Sequence, residues 1–102
     1  MVELVLPRLV GTREAVGDLL NEQAVPSRLE GKDLVLLCRD LAAGSTSFAD
    51  ELVLQILVRR RALRLVLVAA PSSFVTRTRD AARRRGVQDQ VVVDTAAHVV
   101  VG

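Results

Sequence analysis

Four short runs of mostly valine and leucine, separated by stretches with helical spacing, constrain this 102-residue chain more than any other feature. The runs are Val2–Leu6, Asp33–Cys38, Arg64–Ala69 and Gln90–Asp94. Each has the length of a strand rather than a helix. The first intervening stretch, Arg13–Ala24, places Val16, Leu19, Leu20 and Ala24 on one stripe, with Thr12 as its N-cap. Pro26 closes it, because proline cannot continue a helix without losing a hydrogen bond. The second, Ser47–Arg60, sets Phe48, Leu52 and Ile56 in line, with Ala49, Val53 and Leu57 beside them. So broad a stripe belongs to a deeply packed helix. The third, Ser73–Arg85, follows Pro71-Ser72 and ends before Gly86, the residue type suited to a left-handed position just past a helix.

The order β-α-β-α-β-α-β predicts a small layered α/β domain with a largely parallel four-stranded sheet covered by helices. Its crossovers should be right-handed. The second and third runs are continuous rather than alternating, which predicts strands covered on both faces. Aromatics make up only 2% of the chain, Phe48 and Phe74, so valine, leucine, isoleucine and alanine must fill the core. No linker, repeat or low-complexity tract divides the sequence, and residues 1–102 read as one domain. The last stretch, Thr95–Gly102, contains His98 and Val99-Val100-Val101. It reads as an extra edge strand, a flexible tail, or a contact through which two copies form a homodimer.

Several classes of function find no support. No apolar run approaches the roughly 20 residues that span a bilayer. The start, Met1-Val2-Glu3-Leu4, has no basic segment of the signal-peptide kind. Cys38 is the only cysteine, which rules out an internal disulfide and fits cytoplasmic surroundings; inside an apolar run it reads as a buried, inert thiol. One cysteine and one histidine do not build an ordinary zinc site. The glycines form no phosphate-binding loop. Asp50 and Glu51 are adjacent, so on a helix they point apart and form no acid–base pair. The reading is a protein without cofactor that is not an enzyme.

What remains is Gly44-Ser45-Thr46-Ser47-Phe48-Ala49-Asp50-Glu51-Leu52, three consecutive hydroxyl residues between a strand and a helix. A helix N-terminus has free N–H groups and the positive end of the dipole. One reading is a simple cap, by Ser47 or Thr46, with Asp50 and Glu51 stabilised in the first turn. The other is a phosphate carried by one of the hydroxyls, since three exceed what one cap requires.

Thr46-Ser47-Phe48-Ala49-Asp50-Glu51-Leu52 resembles the Ser-Ser-Phe-Ala-Asp-Glu-Leu type of motif found in STAS-like domains, relatives of bacterial anti-sigma factor antagonists. The strands, the helix from Ser73, and Gly86-Val87 before the last strand occupy similar places, so the likeness covers about two-thirds of the chain, Asp33 to Asp94. Ser45-Thr46-Ser47-Phe48 stands where better-known antagonists carry Asp-Ser-Ser-Gly, and by position Thr46 matches their phosphorylated serine. The resemblance implies a non-catalytic binding module whose partner is an anti-sigma factor, a histidine-kinase-like ATPase. It implies phosphorylation at Thr46 first, then Ser47 or Ser45, with Phe48, Asp50 and Glu51 at the partner-binding surface. The implied effect is repulsion: a phosphate beside Asp50 and Glu51 concentrates negative charge where the partner docks. The alternative is an interaction domain of the same fold without phosphorylation.

Arginine supplies all the basic residues but Lys32. Arg77, Arg79, Arg83 and Arg84 on the third helix are candidates for contact with an anion or an acidic partner. Nucleic acid is the weaker reading, because aromatic stacking platforms are absent and the net charge is only +2.

Overall fold

The computed structural model describes residues 1–94; the tail from Thr95, with its edge-strand and dimer readings, lies outside the described residues. Strand β1 is Val2–Val5, followed by a two-residue strand β2, Leu9–Val10, and helix α1, Arg13–Glu22. Then come β3, Asp33–Leu37, the two-residue β4, Ala43–Gly44, and helix α2, Thr46–Val53. Helix α2 runs on as a π-helical segment, Leu54–Arg59. Strand β5, Arg64–Val68, helix α3, Ser72–Arg84, a 3₁₀ turn and strand β6, Val91–Asp94, complete the order. The main sheet is parallel throughout, in the order β1-β3-β5-β6, so the layered α/β architecture holds. Among the described residues, no helix is long and apolar enough to cross a membrane.

Because each strand neighbours the one before it, right-handed crossovers send all three helices to the same face. Burial along the strands alternates accordingly. In register, Leu34 and Leu65 lie in one inward row and Leu4, Leu36 and Leu67 in the next, and all are inaccessible to solvent. The outward residues between them, Val35, Leu37, Val66 and Val68, are only half-buried. Cover on both faces, expected from the continuous apolar runs, is therefore corrected: the described helices cover one.

Local chemistry explains the element ends. Thr12 caps α1, its side chain accepting from the Ala15 N–H at 3.2 Å. The helix stops before Pro26 is reached, because Ala24 adopts a left-handed φ of 54° and Val25 N–H turns back to the Leu20 carbonyl. Ala24 is consequently exposed instead of joining the Val16–Leu20 stripe. Gln23 uses the exit: its amide donates to Val5 O and its carbonyl oxygen accepts from Val5 N–H, both at 2.8 Å. One side chain thus satisfies the edge of β1 and blunts it against stray pairing. Gly86, at φ 72°, ends α3 as its sequence position predicts.

Candidate regulatory site at the start of the second helix

The loops after β1 and β3 are tied together before α2 begins. Leu9–Val10 pairs in parallel with Ala43–Gly44. Ser45 N–H then donates to Val10 O at 2.9 Å. Gly44 is required here by close approach: a Cβ would meet the Phe74 ring at 2.6 Å. The chain therefore enters α2 on a path fixed by backbone pairing on one side and an aromatic ring on the other.

Ser45 is the N-cap, one residue earlier than the Thr46, and two earlier than the Ser47, expected from sequence. Its Oγ accepts from the Phe48 N–H at 3.0 Å and donates to Gly11 O at 2.9 Å. Both functions of that hydroxyl are taken, so Ser45 is poorly placed as a phosphate acceptor. The cap shifts because the β2–β4 pairing ends at Gly44, leaving Ser45 extended at ψ 163°. Thr46 and Ser47 then occupy the first helical turn, exposed, and neither hydroxyl makes a hydrogen bond with the described residues.

Thr46 also lines a groove of about 410 Å³ with Leu9, Val10, Gly11, Ala43 and Arg77. The Arg77 guanidinium is anchored there by donating to Gly44 O at 2.8 Å. A free hydroxyl, the open end of a helix and a guanidinium thus share one groove, a setting that accommodates negative charge.

The remaining candidates separate from this groove. Phe48, expected at a partner-binding surface, is fully buried, its ring 6.3 Å from that of Phe74. Its place on the Phe48–Leu52–Ile56 line points it into the core, so it contributes packing rather than a docking contact. Asp50 and Glu51 are half-buried and engaged. Asp50 accepts from Arg85 at 3.0 Å and from Arg13 at 2.8 Å, with Arg84 within 3.9 Å. Hydrogen bonds from Arg85 foremost, then Arg13, hold the Asp50 carboxyl below its ordinary range. Glu51 accepts from the Gln55 amide at 2.8 Å and lies 3.6 Å from Arg13. Repulsion between a phosphate and these carboxylates, as the resemblance implied, is weakened by that compensation.

Helix α3 divides its arginines in the same way. Arg77 faces the groove and Arg84 faces Asp50. Arg79 is exposed, and Arg83 pairs with Asp80 on its own helix at 3.0 Å. The four do not form one anion-binding face. Arg13 and Arg85, which grip Asp50 from positions 37 and 35 residues away, carry no local signal that marks them as its partners. Gly11, whose carbonyl receives Ser45, is equally silent in sequence. Cys38 is buried, and burial pushes its thiol up to about 12, so it is unreactive in the folded chain. Among the described residues, no three His, Cys, Asp or Glu side chains converge to hold a metal ion. Set against known proteins, the chain matches no family model, no curated protein and no solved structure.

Proposed function

We propose that this chain is a non-catalytic regulatory binding module of the STAS-like kind, resembling an anti-sigma factor antagonist and switched by phosphorylation at the start of α2. The observation that carries the reading is the contrast among the three hydroxyls: Ser45 is consumed by its cap, whereas Thr46 and Ser47 are exposed and make no hydrogen bond with the described residues. Thr46 is the first acceptor, because it alone of the two lines the groove that Arg77 borders. A phosphate there adds about −1.5 to −2 charges at neutral pH. The helix end and Arg77 stabilise that charge within the domain. A docked partner, by contrast, would have to desolvate it, and affinity falls without any refolding.

The partner is a histidine-kinase-like ATPase that both binds the unmodified domain and supplies the phosphoryl group from ATP. The setting is cytoplasmic, which suits a lone buried thiol. Titration calorimetry against such an ATPase tests the reading. Thr46→Asp should weaken binding by about tenfold or more, and Thr46→Ala should leave it near the unmodified value. Equal affinity for the unmodified chain, Thr46→Asp and Ser47→Asp, or no binding by any of them, would overturn it.

A further inference from the structure

We infer that the surface where the loop after α1 meets the loop after the π-helical segment is a docking site for an acidic, aliphatic segment of a protein partner. Backbone bonds make the two loops one platform: Leu29 N–H donates to Arg60 O and Leu63 N–H to Lys32 O, both at 2.7 Å. The Arg60 side chain donates to Val25 O and Pro26 O, and the Gln90 amide to Ala62 O and Leu63 O. Residues 25–33 and 59–64 carry Arg28, Lys32, Arg59, Arg60, Arg61 and Arg64 against Glu30 and Asp33. The elements alongside add Glu3, in register with Val35, and Asp89, next to Gln90. Even with these included, six cations meet four carboxylates, so the platform holds the whole net charge of +2, and the remaining eight of each sign balance.

Most of these cations have no partner within the domain. Arg64 pairs with Asp33 at 2.6 Å, and Arg60 serves backbone carbonyls. Arg28, Lys32, Arg59 and Arg61 are exposed, and their side chains form no ion pair or hydrogen bond with the described residues. Arg59 complements the negative end of its helix, whereas Arg28, Lys32 and Arg61 lie outside the helices. Arg61 has a left-handed φ of 60°, a conformation that glycine adopts more readily, as Gly86 does after α3. Folding alone favours glycine at that position.

The pattern selects the partner. Guanidinium forks match carboxylates with paired hydrogen bonds. Leu63, 53% exposed, and Met1 line a recess of about 360 Å³ with Lys32, Asp33 and Arg64, which seats an aliphatic side chain beside the charges. Glu30 and Asp33 stand among the cations and repel the continuous negative charge of a lipid surface or a phosphate backbone. A protein segment can set its carboxylates between them. Both aromatic rings, Phe48 and Phe74, are fully buried and offer bases no stacking platform. Arg59 lies roughly 20 Å along the helix from Thr46, so this surface is independent of the phosphorylation reading.

Fluorescence anisotropy of a fluorescein-labelled peptide of repeating Glu-Glu-Leu, titrated with the full chain, tests the inference. The peptide should bind, more weakly as salt rises, and in preference to a thymidine oligonucleotide or to vesicles of phosphatidylcholine and phosphatidylserine. Arg59→Glu should weaken binding by about tenfold. Arg61→Gly should weaken it by about threefold while the melting temperature does not fall, which separates docking from folding. Leu63→Ser should weaken it by a similar factor. Arg79 is also exposed and without an ion pair to the described residues, but it lies on α3, so Arg79→Glu should leave binding nearly unchanged. Thr46→Asp should do the same. No binding of the peptide, tighter binding of the oligonucleotide or the vesicles, or equal losses for Arg59→Glu and Arg79→Glu would overturn the inference.

Discussion

Thr46-Ser47 and Asp50-Glu51 lie within little more than one turn of the same helix, yet the fold treats them in opposite ways. The hydroxyl pair is exposed and makes no hydrogen bond with the described residues, whereas the Asp50 carboxylate is held by Arg13 of α1 and by Arg85, the C-cap of α3. The acidic pair thus fastens three helices together, and the hydroxyl pair is left available. The difference shows that a motif read as one site can divide into a structural half and an exposed half. Position on the helix decides it: residues 50 and 51 turn toward neighbouring helices, while 46 and 47 stand at the open end.

Substitutions can break or sharpen that contrast, beginning with the scaffold beneath it. Gly44→Ala should cost roughly 1–3 kcal/mol in urea denaturation, because the added methyl must displace the Phe74 ring. Asp50→Asn should cost about 1–2 kcal/mol, discounted for the half-exposed Arg13 partner. It should also change the acid limb of stability. The folded Asp50 carboxyl lies below its ordinary range, so its contribution is complete above about pH 4. That contribution is lost as pH falls through the lower folded value, so the wild type and Asp50→Asn should converge in acid. Asp33, lowered by Arg64, titrates in the same direction in both proteins and cancels from the comparison.

Ser45→Ala removes the cap and should cost about 1 kcal/mol in the same assay. Thr46→Ala should fall within about 0.5 kcal/mol of the wild type, since its exposed hydroxyl makes no hydrogen bond with the described residues. A Thr46→Ala variant as damaged as Ser45→Ala would erase the distinction between a bonded hydroxyl and a free one.

The alternation of strands and helices was legible because side-chain period and length report secondary structure directly. Gly86 and Thr12 could be placed for the same local reason. What sequence did not reveal comes from contacts between distant segments. The cap falls on Ser45 because Leu9–Val10 pairs with Ala43–Gly44, two-residue strands too short to have a period. Asp50 looked available for docking because its arginines arrive from other helices. The continuous apolar runs of β3 and β5 suggested two covered faces, since a run of valine and leucine looks the same whether one side or both are packed. Phe48 carried a correct signal, its place on the apolar line of α2, beside a motif that suggested the surface.

Phosphorylation at the start of α2 is best tested by mapping phosphate by tandem mass spectrometry, after incubating the chain with a histidine-kinase-like ATPase and ATP. Modification is expected on Thr46, with Ser45 untouched because its hydroxyl is bonded on both sides. Phosphate on Ser45, or none on any of the three hydroxyls, would contradict it.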